Sequence, residues 1–266
     1  TRVRSSMRAR LPVRIRLVAL GALAFIATPL LSLLWRVPWS RLVDLLTRDV
    51  VTDALLLSLI SSIAAALAAL ALGIPLALQL ARMNGFAASV VRAVVVLPMI
   101  LPPVVGGAAL LFAFGRRGLV GSVVSDVTGL VVPYTLTGVI VANTFVALPF
   151  VVLTVEGALR ALDPRFELAA ATLGANEARV TFRVVLPMVR PALIAGGFLG
   201  WARALGEFGA TITFAGNIQG KTQTLPLAVF VALETDREAA LAMSVVLISV
   251  SLLILVSLRD RWWPVR

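Results

Sequence analysis

The chain has 266 residues, of which 60% are hydrophobic, and it carries a formal net charge of +11 at pH 7. This is more apolar side chain than one soluble core of that size can cover, so the excess must face lipid. The sequence contains no cysteine and no histidine, which excludes disulfides, imidazole acid–base catalysis and Cys/His metal sites. Most classes of enzyme are excluded with them.

Five uncharged stretches are long enough to cross about 30 Å of hydrocarbon as a helix. They are residues 17–34, 54–81, 93–115, 127–155 and 239–258. A sixth stretch, 191–216, is also long enough, although Arg203 and Glu207 interrupt it. We therefore predict an all-α integral membrane protein with six spans.

The positions of the basic residues predict the orientation of these spans. Sixteen of the 24 Lys and Arg residues fall in segments that are cytoplasmic if the N-terminus is, seven fall in the alternate segments, and Arg203 lies within a span. Cytoplasmic segments carry the excess of such residues, so we expect both termini in the cytoplasm and no nucleic-acid partner. A basic N-terminus before 17–34 is also how a cleaved signal peptide begins. Trp35 and Trp39 are typical of interfacial anchors and favour an uncleaved span.

The third span contains residues that disturb helices. They are Pro98, Pro102, Pro103, Gly106 and Gly107. A proline inside a helix kinks or breaks it. One interpretation is ordinary close packing, because small residues let membrane helices approach one another. The other is functional, because broken backbone at membrane depth persists only where it is buried or lines a water-filled path.

The longest predicted cytoplasmic connection, residues 156–190, contains a short amphipathic helix. Asp163 and Pro164 are typical of its start, since the carboxylate caps exposed N–H groups and proline lacks an N–H. Gly174 stands where a left-handed C-terminal cap is needed. The apolar face at helical spacing consists of Phe166, Ala169, Ala170 and Leu173.

A second short helix is predicted to follow in the same connection. Asn176 and Glu177 begin it, Pro187 bounds it, and Pro191 opens the fifth span. A short face made mostly of alanine buries too little area to fold alone, yet it can sit closely in a groove. The first helix is therefore either a docking element for a partner or a helix lying on the membrane or under its own bundle.

The string ELAAATLGANEARVTFRVVLP, residues 167–187, resembles the cytoplasmic signature of ABC importer permeases. Five positions match in register, and Val184 replaces an isoleucine. The matching residues are Ala169, Ala170, Gly174, Leu186 and Pro187. The signature glutamate is absent, because Leu168 occupies its position and Glu167 lies one residue earlier. The resemblance implies that this helix docks in a cleft of a cytoplasmic ATPase, which would place Phe166, Glu167, Leu173 and the matching residues at that contact.

A second block, LGWARALGEFGATITFAGNIQGKTQTLPLAVF at residues 199–230, resembles molybdate and tungstate permeases, and sulfate permeases more distantly. The resemblance spans residues 52–258 and implies a six-span type I ABC importer permease. It also implies a homodimer, a dimer of ABC ATPases that holds ATP and Mg²⁺, and an extracytoplasmic oxyanion-binding protein, with no cofactor on this chain. We accordingly divide the chain into a first span with flanking segments at 1–51, the permease domain at 52–258 and a cytoplasmic tail at 259–266.

Arg203 and Glu207 are four residues apart, so on a helix they can form an ion pair. An ionised group at the bilayer centre costs about 2.5–3.5 kcal/mol on insertion scales, so the pair must face protein or a pathway. Either it lines the route of a tetrahedral oxyanion or it is a structural ion pair that holds helices together. The sequence leaves both interpretations open.

The string AGNIQGKT at residues 215–222 matches a relaxed phosphate-loop pattern. A true phosphate loop follows a buried strand and opens a helix. Here a predicted membrane helix precedes it, Pro226 comes soon after, and the predicted topology places Lys221 outside the cell. We therefore interpret it as an external loop that meets the binding protein.

Taken together, these features predict the permease subunit of an ATP-driven importer of molybdate or tungstate in the bacterial inner membrane, and not an enzyme. A sulfate permease is the rival within the class. An ion-coupled secondary carrier is the rival from another class, but it would need titratable residues at the midplane and usually duplicated halves. Glu207 is the one carboxylate deep in a predicted span, and no repeat is visible.

Overall fold

The computed structural model describes residues 12–257, so the first eleven residues of the predicted 1–51 region and the predicted cytoplasmic tail at 259–266 lie outside the described residues. Between residues 12 and 257 all regular structure is helical. The helices are α1 (Val13–Trp35), α2 (Leu42–Leu46), α3 (Asp49–Arg82), α4 (Gly85–Ile100), α5 (Pro103–Phe114), α6 (Gly121–Thr128), α7 (Leu136–Arg160), α8 (Arg165–Thr172), α9 (Glu177–Val180), α10 (Leu186–Met188), α11 (Arg190–Leu205), α12 (Gly209–Phe214), α13 (Leu225–Thr235) and α14 (Arg237–Ser257).

Four of these helices are long and apolar enough to cross a membrane by themselves, namely α1, α3, α7 and α14. Two bent pairs qualify when each is counted as one crossing. The pair α4 and α5 is bent by 117°, and the segment Glu177–Met188 is bent by 70° relative to α11. The all-α fold with up to six spans confirms the prediction. The fourth span is shorter than expected, since α7 begins at Leu136, where the Thr135 hydroxyl accepts a hydrogen bond from the Gly138 N–H.

The third span breaks at Leu101 and Pro102, between α4 and α5. Pro102 precedes the first turn of α5 and Pro103 lies within it. Neither residue has an N–H to donate to the preceding helix, so the chain can change direction here at little cost in hydrogen bonds.

The fifth predicted span is wrong as a single helix, because α11 ends at Leu205 and the short helix α12 begins at Gly209. Two features explain the break between α11 and α12. The Glu207 carboxylate accepts a hydrogen bond from the Ala210 N–H at 2.8 Å, which caps the new helix. A Cβ on Gly209 would lie 2.4 Å from Cβ of Pro103, so only glycine lets α12 approach α5 this closely.

The second helix of the long connection follows the prediction closely. Pro187 was expected to bound it, and the helical segment Glu177–Met188 ends one residue beyond Pro187. A π turn at Thr181–Val185 widens the helix just before the proline. Such a turn relieves the clash between a proline ring and the preceding carbonyl groups.

The core of the bundle is formed by α3, α7 and α11, and its buried side chains are small. Polar side chains are buried beside it. Asn143 on α7 donates to Ser61 of α3 at 3.5 Å and accepts from Thr211 of α12 at 3.2 Å. These bonds matter because a buried amide without partners would be costly at membrane depth. They fix α12 against the two long helices.

Contacts between distant residues define two ends of the bundle. At the end that carries α8, the Arg160 guanidinium donates to the carbonyl of Leu80 at 2.9 Å, which joins α7 to α3. At the opposite end, Arg48 forms an ion pair with Asp236 at 2.6 Å. The long connection 156–190 and the segment around α2 therefore lie at opposite ends.

Candidate functional site

Helix α8 begins where the sequence predicts it, within one residue. The Asp163 carboxylate accepts a hydrogen bond from the Arg165 N–H at 3.0 Å. Pro164 already has helical dihedral angles, φ −59° and ψ −16°, and its carbonyl accepts from the Leu168 N–H at 3.1 Å. Asp163 is thus the functional cap and Pro164 occupies the first helical position.

Helix α8 ends in a Schellman motif at Gly174, whose φ of +83° lies in the left-handed region. The Gly174 N–H donates to the Ala171 carbonyl at 2.9 Å, and the Ala175 N–H donates to the Ala170 carbonyl at 3.1 Å. Two residues later Asn176 caps α9, since its side-chain oxygen accepts from the Arg179 N–H at 2.9 Å. Both ends of α8 are therefore set by local hydrogen bonds. We call α8 together with Leu173 and Gly174 the knob.

The apolar side chains of α8 are not covered by the rest of the described chain. None of its residues is buried. Leu173, just past its end, is 89% exposed and Phe166 is 52% exposed. Ala169 is exposed and Ala170 is half-buried. Between α8, α9 and Arg82 lies an open groove of about 560 Å³. An exposed apolar patch of this kind marks an interaction surface.

The remaining residues of the predicted contact lie at the base of the knob. Glu167 forms an ion pair with Arg82 of α3 at 3.7 Å. Leu186 is half-buried and Pro187 is exposed, beyond the π turn. The displaced glutamate therefore points back to the bundle, and it ties α8 to the end of α3.

An ion-pair cluster lies at the end of the bundle that carries α8, and sequence reasoning missed it. The Glu156 carboxylate, 5% exposed, pairs with Arg92 of α4 at 2.6 Å and with Arg160 at 2.8 Å. Arg160 also donates to carbonyls at the end of α3. The Glu156–Arg160 spacing of four residues was a detectable signal, but the partner on α4 is 64 residues away. The cluster joins α3, α4 and α7 at the end of the bundle that carries α8.

A second site lies at the break of the third span. A cavity of about 360 Å³ is lined by residues of the break, including Pro102, Pro103 and Gly106, and by Arg203 of α11. Glu207 forms an ion pair with Arg203, and its side chain is 1% exposed. The structure thus places the Arg203–Glu207 ion pair beside the break of the third span, whereas the sequence analysis considered these two features separately. Gly107 lies outside this lining, where a Cβ would be 2.6 Å from Cβ of Thr213, so it serves the packing of α5 on α12.

The 215–222 segment follows the short helix α12 and forms a loop near the start of α3, at the end of the bundle opposite α8. Gly216 and Gly220 have φ of +75° and +70°. Lys221 and Gly220 line a surface pocket with Asp53 at the start of α3. No strand precedes the loop among the described residues, so the geometry of a phosphate loop is not present.

Known proteins resemble this chain along most of its length. Residues 69–262 match the family described as binding-protein-dependent transport system inner membrane component. The molybdenum transport system permease protein ModB of Mycobacterium tuberculosis is 43% identical over 251 residues, which cover 94% of this chain and 95% of that protein. The sulfate transport system permease protein CysT of Salmonella typhimurium is 38% identical over 221 residues, covering 83% of this chain and 79% of that protein.

Among solved structures, a chain of a bacterial alginate ABC transporter superimposes with a TM-score of 0.71 at 17% identity, covering 92% of this chain and 91% of that chain. That likeness supports the fold alone. The sequence relatives are transport permeases, so this chain is a multi-pass transport subunit and not an enzyme. It belongs to the family of binding-protein-dependent transport system inner membrane components.

Proposed function

We propose that this chain is the permease subunit of an ATP-driven importer of a tetrahedral oxyanion, molybdate or tungstate. The observation that carries the proposal is α8, a knob capped at both ends whose apolar side chains have no cover in the described chain. A separate ATPase dimer, holding ATP and Mg²⁺, would cover it. This chain itself would hold no cofactor. The identity to molybdenum permeases exceeds that to sulfate permeases, which favours molybdate over sulfate.

The same proposal assigns an orientation and an assembly. The end that carries α8 would face the cytoplasm, as would both termini, and the opposite end would meet an extracytoplasmic oxyanion-binding protein. Two copies of the chain would form the transporter in the lipid bilayer, with the path between them. The Glu156 cluster supports transmission of movement from α8, because it joins three helices at the end of the bundle that carries α8.

The orientation can be tested by labelling, because the natural sequence contains no cysteine. We expect Leu173→Cys to react with an impermeant maleimide only after the membrane is opened. Leu119, 87% exposed in the turn after α5, provides the matched control. We expect Leu119→Cys to react in intact cells. The reverse pattern would contradict the docking role of α8.

The substrate can be tested with the complete transporter in proteoliposomes. ATP hydrolysis is measured with the binding protein loaded with molybdate, tungstate or sulfate. We expect stimulation and uptake with molybdate and tungstate. Stimulation by sulfate alone would identify the chain as a sulfate permease, and failure of any ATPase to copurify would contradict the import mechanism.

A further inference from the structure

We propose that the cavity at the break of the third span is a transient binding site for the transported oxyanion, in which Arg203 binds the anion and Glu207 keeps that binding weak. This inference rests on the proposed import function and concerns a step inside the membrane. Four observations carry it.

The cavity has the size and the walls for a small hydrated anion. Its volume is about 360 Å³, whereas a single water needs only about 10–15 Å³ of probe-occupied space. The walls include prolines and a glycine of the helix break, and the apolar side chains of Met99, Ile100, Leu101, Phe145 and Phe150. Arg203 is the charged residue in this lining, so it dominates the interaction with an anion.

The two members of the ion pair are placed unequally around this space. Arg203 lines the cavity and its side chain is 30% exposed, whereas Glu207 is 1% exposed and does not line it. The guanidinium forms no second ion pair with a carboxylate of residues 12–257. An anion in the cavity therefore meets the cation directly, while the carboxylate lies behind it. The guanidinium has further donors that suit an oxyanion.

The N-terminus of α5 adds a positive field without adding many donors. Pro102, Pro103 and Gly106, at the start of this helix of twelve residues, line the cavity. Helix N-termini favour negative charge. The two prolines have no N–H, and the Gly106 N–H already donates to the Pro102 carbonyl at 3.1 Å. The N-terminus of α5 therefore attracts an anion electrostatically but donates few hydrogen bonds to it.

Glu207 is held in place, so it competes with an entering anion and cannot move aside easily. Its carboxylate accepts from the Ala210 N–H at 2.8 Å, and the adjacent Thr211 donates to Asn143 at 3.2 Å. A pathway must bind its substrate firmly enough to admit it and weakly enough to release it. The fixed Glu207 carboxylate competes with the anion for Arg203, which keeps anion binding weak enough for release.

The test uses the complete transporter, purified with its ATPase. Binding of radiolabelled molybdate is measured without ATP and without the binding protein, and uptake is measured in proteoliposomes with both. Glu207→Gln retains an oxygen that can accept from the Ala210 N–H, so α12 keeps its cap. We expect this variant to bind molybdate about tenfold more tightly and to import it more slowly, because release is retarded.

A double variant and a control complete the test. Arg203→Gln with Glu207→Gln removes both charges, and we expect it to lose molybdate binding and uptake while the permease still copurifies with its ATPase. Glu234→Gln, which changes an exposed carboxylate on α13, should match the wild type.

Three results would overturn the inference. They are a Glu207→Gln complex that binds no more tightly than the wild type, a double variant that imports at the wild-type rate, and loss of assembly in both variants, which would identify a structural ion pair. Absence of oxyanion import by the wild type would instead contradict the proposed function.

Discussion

Arg92 on α4 and Glu156 on α7 form an ion pair, with 2.6 Å between Nη2 of the arginine and Oε1 of the carboxylate. The Glu156 carboxylate is buried, and it forms a second ion pair with Arg160, one turn further along α7. The pair connects the start of the broken third span to the helix that leads into the α8 connection. The pair therefore joins that helix directly to α4, the first half of the broken span.

Removal of the charge at Glu156 should loosen this junction. We expect Glu156→Gln to lower the free energy of unfolding by about 1–2 kcal/mol, because two guanidinium groups lose their counter-charge. The loss is moderate because both arginine side chains are partly exposed to solvent. The midpoint of thermal unfolding in detergent measures the effect. Glu234→Gln, exposed on α13, is the matched control and should leave the midpoint unchanged. Equal midpoints for both variants would show that the cluster contributes nothing.

The left-handed cap of α8 predicts a sharp difference between two glycines. Gly174 has a φ of +83°, which a residue with a Cβ adopts at a cost of about 1–2 kcal/mol. We expect Gly174→Ala to distort the knob and reduce oxyanion-stimulated ATP hydrolysis. Gly157, in the last turns of α7, has helical geometry and open space around it. Gly157→Ala should preserve activity, since alanine is favoured in helices.

Exposed apolar residues on the knob should matter for assembly and not for folding. Leu173 is 89% exposed, so Leu173→Ala removes almost no internal contact. We expect unchanged thermal unfolding of the isolated permease, but binding of the ATPase weakened by about 1–3 kcal/mol if the leucine enters a cleft. Leu119→Ala, in the turn after α5 and 87% exposed, should affect neither quantity. Destabilisation of the isolated chain by Leu173→Ala would contradict this view of the knob.

The α8 connection was predictable from sequence because local groups determine it. Asp163, Gly174 and Asn176 each bond to backbone within three residues or adopt a φ that glycine alone accepts readily. Such signals lie in a short window of sequence. For the same reason the start of α8 was placed to within one residue.

The central site was only partly predictable because distant contacts determine it. The Arg203–Glu207 ion pair follows from spacing, and the structure contains it. Its place at the end of α11 does not follow, since the break depends on the fit of Gly209 against Pro103, which lies far away in the chain. The juxtaposition of Arg203 with the third-span break arises in the same way. The distribution of apolar residues predicts where helices span a membrane, but it does not show where a contact with another span breaks a helix.

Close packing of α5 on α12 can be tested at Gly107. A Cβ there would lie 2.6 Å from Cβ of Thr213 and 2.8 Å from the Ala210 carbonyl oxygen. We expect Gly107→Ala to lower the free energy of unfolding by about 1–3 kcal/mol, because backbone must shift to relieve the clash. Gly21→Ala, on α1 with nothing within 4 Å, is the control and should be neutral. A neutral Gly107→Ala would mean that the two helices are separated more widely than described.

The opposite end of the bundle should show a pH dependence set by Asp236, which precedes α14. A hydrogen bond from the Ala239 N–H, together with the hydrogen bond and charge of the Arg48 side chain, holds the pKa of this carboxyl below its usual value. Because the folded pKa is the lower one, the stabilisation is complete above the unfolded pKa of about 4 and is lost as the pH falls through the folded value.

The comparison of Asp236→Asn with the wild type isolates this charge, because asparagine can still accept from the Ala239 N–H. We expect the wild type to have the higher unfolding midpoint at pH 7 and the difference to shrink as the pH falls below about 4. Arg48→Gln removes one of the partners that lower this pKa, and it should reduce the pH dependence without abolishing it. A difference that stays constant from neutral to acid pH would mean that the carboxylate has no favourable interaction in the folded state, and the ion pair that joins the α2 segment to α14 would then contribute nothing to stability.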